Sequence, residues 1–481
     1  MSENVQFAER ARTKIVATLG PACAAEDKIA ELVTAGADVF RLNMAHGSRE
    51  QHTETLQRVR RVEQRLSKPC GLLVDLAGPK IRLGDLPNNE VQMIPGEEYR
   101  FVRGNAASSD REFTSTYAPL VDEVSVGKMI MLADGTISLL VEEKGKDFVR
   151  ARCVQGGPLR SRQGINLPGA KLSTPAMSDV DVDNALWAAD AGADFISLSF
   201  VRSADDVRSL KSMLLARGCL ARVIAKIEKP EALEQLDAVV QAADGVMVAR
   251  GDLGVEMDLA SIAVVQKRIV ETCNRRQKPV IIATQMLDSM QHSLRPTRAE
   301  ATDVANAILD GADACMLSGE TAAGQYPRES VEMMDRIARA TEPLLAHRTR
   351  GPAPAIAPQG VREITRAVVY GAGYIAAELG AKLVVVASHT GATALALAKQ
   401  RNFIPTVGVS DSPTVLRQMC LMWGVIPLAG APVADREHLI RHVETWGRHV
   451  GALTSGDRII VITSSSISAS GHNVLLVHEV P

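Results

Sequence analysis

Two periods alternate along this chain, and the phrase that joins them recurs. "AGADVFRLN" (35–43), "AGADFISLSF" (191–200), "AADGVMVARGD" (242–252) and "DGADACMLSGE" (310–320) each begin where a helical pattern of apolar positions ends. The glycine suits the left-handed position just past a helix C-terminus. A short, mostly apolar run follows, as expected of a parallel strand buried on both faces. Four more such runs fall between these: "KIVATLG" (14–20), "CGLLVDL" (70–76), "RVIAKIE" (222–228) and "PVIIATQ" (279–285). Eight strands alternating with helices predict a (β/α)₈ TIM barrel, with an open doubly wound sheet as the alternative.

The rhythm breaks between residues 79 and 170. Short alternating runs such as "KMIMLADGTISLLVEE" and "FVRARCV" are punctuated there by Gly, Asn and Pro. They predict a small inserted β-barrel domain, hinged at Gly78-Pro79 and Pro168-Gly169. The barrel would then comprise residues 1–78 and 171–347. A Pro- and Ala-rich linker, "RTRGPAPAIAPQG" (348–360), opens the C-terminal α/β region at 348–481. Its strands are "AKLVVVAS", "IPTVGVS", "GVIPLAG", "RIIVIT" and "NVLLVHEV". "GAGYIA" (371–376) imitates a dinucleotide fingerprint, but the residues before it look helical, so a Gly-containing helix is expected.

Composition narrows the function. A net charge of -2 over 481 residues offers no field for nucleic acid or a membrane, and 3% aromatics leave little for stacking on bases. The Arg-rich "QRVRRVEQR" (57–65) lies over an apolar stripe of Leu56, Val59, Val62 and Leu66, which reads as a solvated helix face. Seven scattered cysteines without a Cys-x-x-Cys pair argue for a reducing compartment and against a structural zinc. No apolar leader or run of about 18 apolar residues is present, so a cytoplasmic protein is expected.

In a barrel, the C-terminal ends of the strands share one mouth. Those ends carry Arg41 and Asn43, Asp75, Lys226 and Glu228, Arg250, Gly251 and Asp252, Thr284, and Ser318 and Glu320. Glu228 and Asp252 could share a hard cation such as Mg²⁺. Lys226 and Arg41 suit a phosphoryl group, one as a point charge and one as a fork. Gly251 lets a ligand approach bare backbone N–H groups. No P-loop, His-Glu-x-x-His or protein-kinase motif set occurs. The pattern fits a small phosphorylated acid handled with a divalent metal, or else a structural ring of salt bridges.

The segments "TKIVATLGPA", "RLNMAHG", "DLAGPKIR", "AKIE", "MVARGDLGVE", "ATQMLDSM" and "RPTRAEATDVANAILDGADACMLSGETAAGQYP" resemble the pyruvate kinase family over nearly the whole chain. The resemblance implies phosphoryl transfer from phosphoenolpyruvate to ADP, giving pyruvate and ATP. Lys226 would bridge the migrating phosphoryl group and Arg41 would hold it. Glu228 and Asp252 would bind Mg²⁺, with Mn²⁺ as an alternative. Gly251, Asp252 and Thr284 would hold the substrate carboxylate, and Thr284 could help deliver a proton. Asn43, His46 and Arg82 match contacts to the nucleotide, and the insertion would close as a lid. A homotetramer is also implied.

Two departures from the family pattern stand out. A nucleotide-contacting lysine is replaced by Val180, with Lys171 as a nearby substitute. The potassium site of potassium-dependent members keeps Asn43 and Asp75, but its serine is Ala45, its threonine is Leu76, and its accompanying glutamate is Lys80. Lys80 is therefore expected to stand in for K⁺. In the last domain, "ASHTGATA" (387–394) sets Ser388, Thr390, Gly391 and Thr393 between a strand and a helix. That is a candidate site for a phosphorylated effector, most simply a monophosphate, or ordinary helix capping. The loop "SSSISASGH" (464–472) lacks basic character. The rival functions are a Mg²⁺-dependent carbon–carbon lyase and a non-catalytic sugar-phosphate sensor.

Overall fold

A computed structural model of the protein describes residues 10–104, 109–170, 172–346, 361–464 and 473–481. Eight parallel strands close into a barrel in chain order: β1 (Lys14–Thr18), β2 (Val39–Asn43), β3 (Gly71–Asp75), β4 (Phe195–Leu198), β5 (Arg222–Ile227), β6 (Gly245–Ala249), β7 (Val280–Ala283) and β8 (Ala314–Leu317). Helices cover its outside, where Leu32, Val59, Leu210, Val239, Ile269 and Val331 belong to one buried cluster. Three of the four repeated glycines behave as the repeat predicts. Gly36, Gly192 and Gly311 have φ of 132°, 78° and 102°, whereas Gly245 lies inside β6.

Strand parity decides where the polar residues stand. Val16, Val39, Leu73, Phe195 and Ile224 point inward and form part of the barrel's apolar interior. Two residues further along each strand, on the same face, come Thr18, Arg41, Asp75, Ser197 and Lys226. A polar layer thus sits directly on an apolar plug at the C-terminal end. The opposite end is closed by Cys420 and Leu421 from the C-terminal domain, which join the same interior cluster.

The insertion follows β3. Its larger sheet has six strands in the order Ile165–Asn166, Met129–Leu132, Ile137–Lys144, Phe148–Gln155, Glu98–Val102 and Glu112–Phe113. Gly157–Arg160 and Glu90–Met93 form a separate pair. Exposed and buried residues alternate along Glu98–Val102, with Tyr99 and Phe101 facing a core shared with Phe113 and Leu139.

The C-terminal sheet has β9 (Leu383–Ala387), β10 (Thr406–Val409), β11 (Val425–Leu428), β12 (Arg458–Thr463) and β13 (Val474–Glu479), in the order β11-β10-β9-β12-β13. Only β13 runs antiparallel. "GAGYIA" lies within the helix Glu363–Glu378, as its flanks predict. This domain grips the barrel floor through buried charges. Lys399 Nζ lies 2.6 Å from Asp313 Oδ2, and Arg401 Nη1 lies 3.0 Å from Oδ1. Arg222 at the start of β5 donates to the Thr390 carbonyl at 2.8 Å.

The Arg-rich run is helical within Arg49–Arg65, with Leu56, Val59 and Val62 buried. Arg61 and Arg65 pair with Glu26 at the surface. Arg60 departs from the solvated reading: its guanidinium lies 2.8 Å from buried Asp194 and donates to the Cys70 carbonyl at 3.0 Å. Among the described residues, no helix is long and apolar enough to cross a membrane.

Candidate active site

The polar layer is a buried network of two cations and two carboxylates. Arg41 Nε and Nη2 both donate to Asp75 Oδ2, at 2.8 and 2.6 Å, and Nη1 donates to Thr18 Oγ1 at 3.1 Å. Asp75 Oδ1 accepts from Ser197 Oγ at 2.5 Å and lies 3.3 Å from Lys226 Nζ. Lys226 also donates to Ser199 Oγ at 2.7 Å and lies 2.9 Å from Glu228 Oε1. Glu228 Oε2 accepts from the Phe200 amide at 2.6 Å.

Burial opposes the charges of Asp75, Lys226 and Glu228, and their neighbours offset it to different extents. For Asp75, burial pushes upward, but Lys226 and Arg41 hold the carboxyl below its ordinary range. For Lys226, burial pushes downward, yet Asp75 and Glu228 keep the ammonium above its usual value. Glu228 goes the other way. Burial raises it, Lys226 only partly offsets that, and the nearby Asp252 raises it further.

Glu228 Oε1 is buried and has no aligned hydrogen-bond donor, even with Lys226 at ion-pair distance. No side-chain hydrogen bond or ion pair among the described residues engages the Asp252 carboxylate. A buried carboxylate oxygen that meets only the Lys226 ammonium, beside a second acid, fits an oxygen-liganded dication such as Mg²⁺. Among the described residues there is no group of three or more His, Cys, Asp or Glu that could hold a metal. The protein would therefore supply two carboxylates, leaving further positions to substrate and water.

Thr284 and Gln285 follow β7 with φ of 70° and 54°. The left-handed region is costly for a β-branched residue, and such strain gathers at functional sites. Arg250 secures it by donating to the Thr284 carbonyl at 2.8 Å, while pairing with Asp303 at 2.6 Å. The Gly251 amide donates to Thr284 Oγ1 at 2.8 Å. A Cβ on Gly251 would lie 3.6 Å from that hydroxyl, in ordinary contact, so sterics alone do not demand glycine. Glu320 is a positioning residue. It is buried and accepts from the Leu287 and Ser318 amides, tying the loops after β7 and β8 together.

Arg41, Asn43 and His46 line a cleft of about 760 Å³ beside this network, together with Gln51, His52 and Arg58. Asn43 caps its own loop, accepting from the Ala45 amide at 3.2 Å. Arg82 is not among the cleft's lining residues; its guanidinium donates to the Arg162 carbonyl of the insertion at 3.1 Å. Lys80 Nζ lies 3.4 Å from Asp134 Oδ1, also in the insertion, and makes no ion pair with Asp75. Val180 is 65% exposed, in the first turn of the helix Asp179–Asp190. Lys171 lies outside the described residues. In the C-terminal domain, Ser388 Oγ accepts from the Gly391 amide at 3.1 Å and Thr390 Oγ1 from the Ala392 amide at 3.4 Å. Thr393 is buried in the helix Ala392–Ala398, whose N-cap is Gly391.

Sequence reasoning missed Thr18, Ser197 and Ser199, which tie the charged layer together. For the serines the signal was present: in "FISLSF" Ser199, just past β4, is two residues from the inward Ser197.

A closed (β/α)₈ barrel whose mouth sets a lysine and an arginine among carboxylates defines, first, a barrel enzyme suited to an anionic substrate. Residues 10–331 match the family model for the pyruvate kinase barrel domain, and residues 366–478 match that for the pyruvate kinase alpha/beta domain. The chain is 39% identical over 470 residues to a pyruvate kinase of Mycobacterium intracellulare, covering 98% of each. It is 38% identical over 478 residues to a pyruvate kinase of Sporosarcina psychrophila, covering 98% of this chain and 80% of that one. The chain belongs to the pyruvate kinase family and is a phosphotransferase.

Proposed function

We propose that this mouth transfers the phosphoryl group of phosphoenolpyruvate to ADP, with Glu228 and Asp252 holding the dication. The observation that carries this reading is the buried Lys226 ammonium, set 2.9 Å from Glu228 Oε1 and 3.3 Å from Asp75 Oδ1 at the barrel mouth. Phosphoryl transfer depends on positioning and charge neutralisation more than on covalent help. Lys226 would donate to the migrating phosphoryl oxygens. Arg41, held flat against Asp75, would present its remaining edge to the same group. Bound there, Mg²⁺ or Mn²⁺ would supply positive charge to the enolate oxygen that forms as phosphate leaves. The Gly251 and Asp252 amides and the Thr284 hydroxyl would receive the carboxylate; the Gly251–Thr284 hydrogen bond would exchange for it. Thr284 is also the candidate for relaying a proton to the enolate carbon. Asn43 and His46 would meet ADP in the adjoining cleft. Arg82 would join them when residues 79–170 close as a lid and exclude water. A coupled assay for pyruvate tests this. Release that needs both ADP and a dication supports it. Release without ADP favours a lyase, and no release favours a sensor.

Lys80 would supply the charge that K⁺ supplies in members that need a monovalent cation. Its bond to Asp134 is long and half-solvated, hence weak. Lid closure would free the ammonium to approach Asn43 and Asp75. Turnover in tetramethylammonium buffer is expected to change less than twofold on adding K⁺. Lys80→Glu is expected to create a potassium requirement. Strong K⁺ activation of the unmodified enzyme would reject the assignment.

The loop of Ser388, Thr390, Gly391 and Thr393 would receive a phosphorylated activator, a sugar phosphate or nucleotide monophosphate. The Thr390 carbonyl is bonded to Arg222 at the start of β5, whose far end carries Lys226. Thr390→Ala is expected to weaken effector binding in equilibrium titration; unchanged affinity would remove this site. A homotetramer in a reducing cytoplasm completes the proposal.

A further inference from the structure

Outside the network just described, one buried carboxylate joins the insertion to the barrel mouth. Glu256 is the last residue of the helix Arg250–Glu256, one turn beyond Asp252, and is 6% exposed. Its Oε1 lies 2.6 Å from Lys229 Nζ and accepts from Asn166 Nδ2 at 3.0 Å. Lys229 directly follows Glu228. Its ammonium lies 5.9 Å from the ring centroid of Phe200, whose amide holds Glu228 Oε2. Each of the two candidate dication ligands thus has a close chain neighbour in this one cluster.

Asn166 belongs to the insertion, and the insertion's sheet fixes it. Asn166 pairs with Met131 and Ile165 with Leu132 in the strand ladder, and the Ile165 amide donates to the Ile81 carbonyl at 2.9 Å. The turn at Gly135 meets the same helix, where a Cβ would come within 3.2 Å of Val255 Cγ2. Any rotation of the insertion carries Asn166 with it. Gly78 at the hinge has φ of 72° and sits against Phe200, so rotation also works against the residue that orients Glu228.

We infer that Asn166, Glu256 and Lys229 form a latch that couples lid position to the spacing of Glu228 and Asp252. With Asn166 engaged, Glu256 draws the Lys229 loop and the Asp252 helix together. With Asn166 withdrawn, the buried Glu256 oxygen loses one of its two donors and the clamp slackens. Coupling of this kind is reciprocal: what favours the closed lid tightens dication binding, and a bound dication favours the closed lid. All three are positioning residues, and the inference rests on Glu228 and Asp252 being dication ligands.

The test is Mn²⁺ binding to the full chain without substrate, read by electron paramagnetic resonance. Asn166→Ala is expected to weaken Mn²⁺ about fivefold, although no dication is expected to touch Asn166. The same substitution in a Glu256→Ala background, which lacks the acceptor, is expected to have no further effect, and Lys229→Arg should retain binding. If Asn166→Ala folds poorly, the isosteric Asn166→Asp gives the same reading, with repulsion against Glu256. Mn²⁺ affinity within twofold of the parent, or equal losses with and without Glu256, would overturn the latch. Glu228→Gln separates the two claims: retention of Mn²⁺ there would instead remove the dication assignment beneath it.

Discussion

Lys226→Met is expected to lower kcat by about a thousandfold, with phosphoenolpyruvate binding weakened far less. Removing one preorganised donor to a developing charge typically costs about 10²–10³ in kcat. Lys226 is more than one donor, because it is the charge placed between Asp75 and Glu228. Its loss also leaves those two buried carboxylates without their shared cation, a change that costs about 3–5 kcal/mol when a buried pair is broken. Thermal denaturation should therefore fall along with turnover. Lys226→Arg separates the two effects. It keeps a cation between Asp75 and Glu228, so the melting temperature should recover much of the loss, while turnover stays well below that of the parent. Full parental kcat in Lys226→Arg would mean that Lys226 acts only as a structural counter-charge.

Glu228→Gln is expected to weaken Mg²⁺ at least a hundredfold, beyond the ~10–100-fold that loss of an outer-shell partner costs. The substitution removes an ionised oxygen but keeps the size of the side chain and an oxygen for the Phe200 amide. A distinctive pH dependence should vanish with it. Glu228 holds its proton above the ordinary carboxylate range, through burial first and then Asp252, against Lys226. Without a dication, its contribution to folding stability is present at low pH and fades as pH rises through that elevated value. A dication must displace the proton, so apparent Mg²⁺ affinity should rise with pH over the same window. Titration of Mg²⁺-induced thermal stabilisation across pH checks this. In Glu228→Gln that slope should be flat.

Much of this was legible in the sequence because it depends on short-range periodicity. Four recurring helix-to-strand phrases and four further apolar runs located the barrel strands, and their C-terminal ends put Arg41, Asp75 and Lys226 at one mouth. Gly245 was misread because the repeated phrase looks alike whether its glycine ends a helix or starts a strand. Arg60 was misread because its partner, Asp194, is distant in sequence and meets it only once the barrel has closed. The same cause hid the bonds of Lys80 to Asp134 and of Arg82 to Arg162, both of which run to turns of the insertion. Ser197 and Ser199 were within reach of the period-two rule, but two hydroxyls carry no charge to draw notice. The Asn166–Glu256–Lys229 cluster joins three segments with no common motif, so only coordinates bring it into view.

The most direct measurement is a crystal of the protein grown with Mn²⁺ and phosphoenolpyruvate, with the manganese located by anomalous scattering. The account predicts one peak between Glu228 and Asp252, with one oxygen from each at about 2.0–2.2 Å and the Lys226 ammonium turned to the phosphoryl group. A manganese bound elsewhere in the mouth, with Lys226 still clasping Glu228 and neither acid touching metal, would contradict it.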